Sequence, residues 1–462
     1  MEQEQSSKKR LLVGLVILLV LLILGGLFWY FFGRSPEGGR EGELFPFGTP
    51  SQDTERTEAG SSDTPAAGEG QQVSEINIEE PMFRQLANVP VLGAYALERE
   101  GIEYVRYIER ETGHTYEVNV RDGSRKQLTN TTISRIQLAD WAQNGNMVVL
   151  RHLEQDPLSG RDIIKTRLGR LDLSADSSSG EVGGMVLETL PDDITALSVA
   201  PDGKNLFYLV KTTNGVSGSM MNFDTRTKKR VFQNSFSEWL PQLLNDGTVM
   251  LTTKPSGKVE GYSYHFDPKT GNLVRLVREK QGLTTLGDGT GSRVLFGENI
   301  AKDAVLGVYS KSGFPADEGI VFYEKILLIT ALPEKCVWLS DNIHTVCGSF
   351  ITTPSGLIPD LWYQGRLSFA DTFWAANTDT DELAFLVDPK KEVGQEFDVM
   401  NPLLSVDQNY FIFTNKKDGT LWSMRIIQKQ TANTSPVDTS GLSPAELEDV
   451  KGSLPQNTKP AQ

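Results

Sequence analysis

The sequence predicts an all-β protein: a seven-bladed β-propeller, with six or eight blades as the neighbouring alternatives, after an N-terminal transmembrane helix and a disordered linker. Three observations lead there. A strand–turn–strand unit recurs seven times, commonly at about 44 residues. An uncharged apolar run of 22 residues stands near the N-terminus. The stretch RQLANVPV (84–91), which opens the folded region, resembles KQLTNTTI 42 residues later, with Gln85, Leu86 and Asn88 repeated as Gln127, Leu128 and Asn130.

Residues 1–10 read as a cytoplasmic stub. Leu11–Phe32 follows as LLVGLVILLVLLILGGLFWYFF, about 33 Å long as a helix against a hydrocarbon core of about 30 Å. Lys8, Lys9 and Arg10 precede it, and Trp29 and Tyr30 sit at its far end, where an aromatic belt belongs. The run exceeds a cleaved signal's apolar region and no small-x-small site follows, so it reads as an uncleaved signal anchor. The expected location is the cell membrane, single-pass, with the N-terminus cytoplasmic and the bulk extracytoplasmic. Residues 33–80 carry three Arg against eleven Asp/Glu and little to bury. They read as an acidic disordered linker with a reach of roughly 40 Å. Residues 428–462 read as a disordered tail.

Between these lie the repeats, over 81–427. Each has an apolar run, a turn of Asp, Asn or Gly type, and a second run rich in β-formers, as in ADWAQNGNMVVLRH, LSVAPDGKNLFYLV and CVWLSDNIHTVCGS. With Gly101, Gly145, Gly203, Gly247, Gly289, Asn342 and Gln408 as markers, the spacings are 44, 58, 44, 42, 53 and 66. A second hairpin follows in each unit, giving four strands per blade. The sixth is delayed by an insert, TTPSGLIPDLWYQGRLSFAD (352–371). The seventh unit supplies only three strands before the chain turns polar. Segment 83–90 therefore serves as its fourth strand and closes the ring. A two-sheet sandwich does not readily explain seven recurrences.

The formal charge of −15 argues against nucleic acid as a partner, since phosphate binding needs a basic face. His114, His152, His265 and His344 fall in no metal-ligand spacing, and no nucleophile elbow or phosphate-cradling loop is present. NTDTDE (377–382) opens like a calcium loop, but has Glu382 where Gly is needed and Asp388 where a bidentate Glu is needed. No catalytic residue, cofactor or metal is expected.

Two features remain as candidate sites. With Asp341 and Asn342 at the turn of CVWLSDNIHTVC, Cys336 faces Cys347. They form either a disulfide or a pair of buried thiols. The insert region holds Trp362, Tyr363, Phe369, Phe373 and Trp374, an aromatic density that fits either a recognition loop or packing of the loop on its own blade.

The stretch APDGKNLFYLV (200–210) resembles the WD40-like repeat of TolB-type propellers. YVRYIERETGHTYEVNV, LTNTTI and VVLRHLE together resemble a group of uncharacterised bacterial single-pass membrane proteins with such a propeller. The resemblance implies the fold and an envelope location, and no activity. The expected function is a protein-interaction or envelope-assembly module whose partner is an envelope protein. The alternatives are an envelope enzyme acting on glycans or peptides from the propeller funnel, or an extracytoplasmic ligand sensor.

Overall fold

Seven four-stranded antiparallel sheets form, each from strands consecutive in the chain except the last. They are seen in a computed structural model that describes residues 80–174, 182–300, 303–312, 321–350, 357–380 and 382–426. The expected anchor at 11–32, nearly all of the linker at 33–80 and the tail at 428–462 lie outside the described residues. Among the described residues no helix is long and apolar enough to cross a membrane.

The blades span 91–127, 136–189, 194–234, 239–281, 284–326 and 336–387, and the seventh joins 399–425 to strand Phe83–Ala87. That closing strand pairs Phe83 with Met424, Arg84 with Ser423 and Gln85 with Trp422. It is shorter than the expected 83–90, because the chain bends at Asn88 and Pro90 brings no N–H for a ladder. First strands of neighbouring blades lie against one another, so they form the inner wall of the ring. The turn markers also hold their places. Asn342 and Gln408 adopt φ of 56° and 59° in the same first turns where other blades use glycine. In the fifth blade the left-handed residue is Gly291 rather than Gly289.

Alternation along the strands turns apolar side chains to both faces of each sheet, and neighbouring blades cover them. Among the described residues seven apolar clusters result, one between each pair of neighbouring blades. Between the sixth and seventh blades Phe373, Phe397, Phe411, Phe413 and Trp422 pack with Phe83 of the closing strand. An eighth cluster lies under the insert and contains Phe350, Ile358, Trp362 and Phe369.

Strand direction divides the loops between two faces. In an antiparallel meander, the second-to-third-strand loops emerge on the same side as the links from one blade's outer strand to the next blade's inner strand. The insert belongs to that side.

Candidate functional site: the insert-bearing face

The insert enters its described part at Leu357 and makes one helical turn, Asp360–Tyr363. It is fastened to three blades. Asp360 accepts the backbone N–H of Gly257 from the fourth blade at 2.6 Å. Asn299 of the fifth donates its side-chain amide to the Ile358 carbonyl. Trp362 donates its indole N–H to both oxygens of Asp398, at 3.0 and 3.2 Å, just ahead of the seventh blade.

Asp398 belongs to a sealed charge cluster. Lys335, without accessible surface, donates to Asp371 Oδ2 and Asp398 Oδ1 at 2.6 Å each and to the Val399 carbonyl at 3.2 Å. The Lys335 ammonium also sits 4.9 Å from the Phe369 ring centre and 5.4 Å from that of Trp362. Ser368 Oγ and the Phe369 N–H complete the shell of Asp398. Burial pushes the Asp371 carboxyl up from its ordinary value, against the pull of Lys335. Such a cluster is held by the geometry of its hydrogen bonds, since Coulomb attraction must first overcome the loss of hydration.

A cavity lies on either side. One, of about 430 Å³, is bordered by Ser368, Asp371, Asp388, Lys390 and Glu396, and the buried Asp371 Oδ1 beside it has no hydrogen-bond partner. The other, of about 370 Å³, is lined by Leu240, Pro241, Met250, Thr284, Glu334 and Tyr363, among others. Tyr363 donates its hydroxyl to Glu334 Oε1. Burial pushes the Glu334 carboxyl up, opposed by the Tyr363 and Thr284 hydroxyls and by Lys335. Even so, Glu334 Oε2 and Thr284 Oγ1 are both shut from solvent, and beyond the approach of the Thr284 hydroxyl to the carboxyl neither has a partner. Burial around its hydroxyl, then the Glu334 charge, raises the Tyr363 phenol well above its ordinary value.

The aromatic candidates thus divide. Trp362, Phe369 and Phe373 are buried, and Trp374 is partly buried against Phe385. Tyr363 stays 45 % exposed at the rim of the second cavity. Cys336 and Cys347 stand opposite in register, and their sulfurs are 2.09 Å apart, joined as a disulfide within the cluster between the fifth and sixth blades. Sequence reasoning missed Lys335, Glu334, Asp371 and Asp398. The one local signal was a charged pair, Glu334-Lys335, directly before an apolar strand.

On the opposite face a cleft of about 300 Å³ lies by the Pro201-Asp202-Gly203-Lys204 turn, between the third and fourth blades. Its Asn222 amide bonds Asn205, and Asp202 accepts the Lys204 N–H, so these groups serve their own turns. Among the described residues no His, Cys, Asp or Glu group is placed to hold a metal ion.

No protein-family model matches the chain, and no curated protein does. Solved structures similar to it include TolB from Acinetobacter baumannii, at 14 % identity and a TM-score of 0.36, over 63 % of this chain and 62 % of that one. Another is an oligogalacturonate lyase in complex with manganese, at 10 % identity and a TM-score of 0.45, over 75 % and 99 %. A third is the tricorn protease, at 10 % identity and 0.47, over 75 % of this chain and 34 % of that one. Likeness at this level assigns no function, and the propeller rests on the chain's own seven sheets.

Proposed function

We propose that the chain is a membrane-anchored, extracytoplasmic propeller serving as a protein-interaction or envelope-assembly module, with the insert-bearing face as its contact surface. The observation that carries the contact face is where exposed apolar side chains lie. Phe236, Leu240, Val259, Ile300, Leu328 and Tyr363 all belong to loops or strand ends of that face, with Leu328 85 % exposed. The opposite face offers fewer, among them Ile102, Leu173 and Val406. Apolar groups gathered on one side of a soluble domain favour contact with another protein. The anchor at 11–32 and the acidic linker would let the disc search for its partner around a fixed point.

An enzyme acting on glycans or peptides is the second reading, and the raised Glu334 carboxyl is what favours it. Glycoside hydrolysis usually takes two carboxyl groups flanking one bond, and among the described residues Glu334 is the one carboxyl lining its cavity.

The test is crosslinking of the full-length protein in cells, with identification of what joins residues 81–427. A reproducible envelope protein attached on the insert-bearing face, and lost in Leu328→Asp, is the expected result. Crosslinks only to itself, or to nothing, would overturn the module. Thiol labelling of the same preparation after denaturation checks Cys336 and Cys347, which are buried and which we take to be oxidised in the envelope: labelling should require reductant.

A further inference from the structure

We propose that the cavity at Glu334 receives an aliphatic ammonium, the side chain of a lysine on the partner protein. This rests on the interaction reading above and names what the face would recognise. The unmet groups select the ligand. Glu334 Oε2 and Thr284 Oγ1 are shut from solvent with no partner beyond each other, and Leu240, Pro241 and Met250 line the same cavity with apolar surface. Other polar groups in the lining are already engaged. Gln242 exchanges both side-chain amide bonds with Gly287, at 2.8 and 3.0 Å. Thr252 is bonded to Ser263 and Thr285, and Lys254 pairs with Glu238 at 3.3 Å.

What remains is a carboxylate oxygen and a hydroxyl in a cavity that is otherwise largely apolar. A lysine side chain matches it, with a four-carbon stem for the walls and a head with three donors and no acceptor. A sugar hydroxyl can donate to the carboxylate and accept from Thr284, but it brings neither a charge for the carboxylate nor an apolar stem for the walls. The formal charge of −15 favours the approach of a basic partner over an acidic one.

Protonation adds a linked signature. Burial raises the Glu334 carboxyl, with Tyr363, Thr284 and Lys335 acting against that rise. Lys254, already paired to Glu238, is a cation of the lining itself. An incoming ammonium favours the ionised carboxylate, so uptake releases a proton wherever Glu334 is partly protonated. Affinity therefore weakens as pH falls through the range in which Glu334 titrates.

The experiment titrates full-length protein in detergent with Nα-acetyl-lysine methylamide and with its norleucine counterpart, which keeps the stem and lacks the charge. The lysine compound should bind at least tenfold more tightly, and Glu334→Gln should remove that preference. Thr284→Val should weaken it severalfold, and this second variant keeps the test decisive if Glu334→Gln does not fold. Equal binding of the two compounds, or a preference unchanged in both variants, overturns the pocket. A lysine-bearing peptide should bind more tightly than n-butylammonium; no gain over the free amine overturns the protein-borne source. The two proposals also fail separately. Crosslinking that survives Glu334→Gln but not Leu328→Asp rejects the lysine pocket and keeps the module. Glu334-dependent binding of the lysine compound without any crosslinked partner does the reverse.

Discussion

Lys335 shows what a single residue does here: one ammonium holds two carboxylates and orders the backbone of the seventh blade's first strand. Lys335→Met should cost about 3–5 kcal/mol in denaturant unfolding, because Asp371 and Asp398 would be left buried without their cation. The loss should shrink as pH is lowered and the Asp371 carboxyl, which burial holds above its ordinary value, takes up a proton; a loss independent of pH would refute this account. Asp140, on the first strand of the second blade, makes a second case. It keeps some accessible surface but is ringed by protein, and burial pushes its carboxyl up to about 6 against the pull of Arg151. A folded pKa above the unfolded one means that its stabilising contribution is complete below about pH 4 and is lost as pH rises through about 6. Asp140→Asn should therefore gain about 1–2 kcal/mol relative to the native chain between pH 4.5 and 8. Parallel thermal melts at those two values would show it, and an unchanged gap would refute it. Neither residue advertised itself in the sequence. The partners of Lys335 lie 36 and 63 residues further on, and only the fold brings them together.

At the scale of elements, hairpins were readable and cross-blade contacts were not. The pairing of Cys336 with Cys347 followed from counting outward from one turn, since an antiparallel ladder fixes every partner once the turn is placed. The insert's aromatic density was equally plain. That it spends Trp362 and Phe369 on a private core, and leaves Tyr363 exposed, depended on anchors such as Gly257, 103 residues from Asp360. A Cβ at Gly257 would meet the Ile358 carbonyl oxygen at 2.3 Å. Gly257→Ala should thus lift the insert, with a loss of about 1–3 kcal/mol. A red shift of tryptophan emission, as Trp362 leaves its enclosure, and faster proteolysis within 357–370 would mark it. Unaltered emission and cleavage would show that the backbone absorbs the methyl group.

At the scale of the whole molecule, seven interfaces share the load, and closing the circle falls to Phe83–Ala87. Phe83 packs against Phe373 and Phe397, with ring centres 5.5 and 5.4 Å away. Phe83→Ala should cost about 3–5 kcal/mol and lower the midpoint of the whole ring in one transition. A separate early transition confined to the seventh blade would reject such cooperativity. The repeat period and the likeness of 84–91 to 126–133 made this circle legible, because a missing fourth strand at one end was supplied at the other.

The closing strand also sets how the protein bears mechanical force. Phe83 lies beside Met424, and the Arg425 N–H is bonded to the Met82 carbonyl at 2.9 Å. The chain thus enters the ring next to the point where its last strand ends, on the side away from the insert. Any pull arriving through residue 80 reaches a five-residue strand before it reaches any other. Directed along that strand, it shears several ladder bonds together; directed outward, it peels them singly at lower force. The ring therefore has a mechanical fuse at its seam, whose threshold depends on the direction of tension.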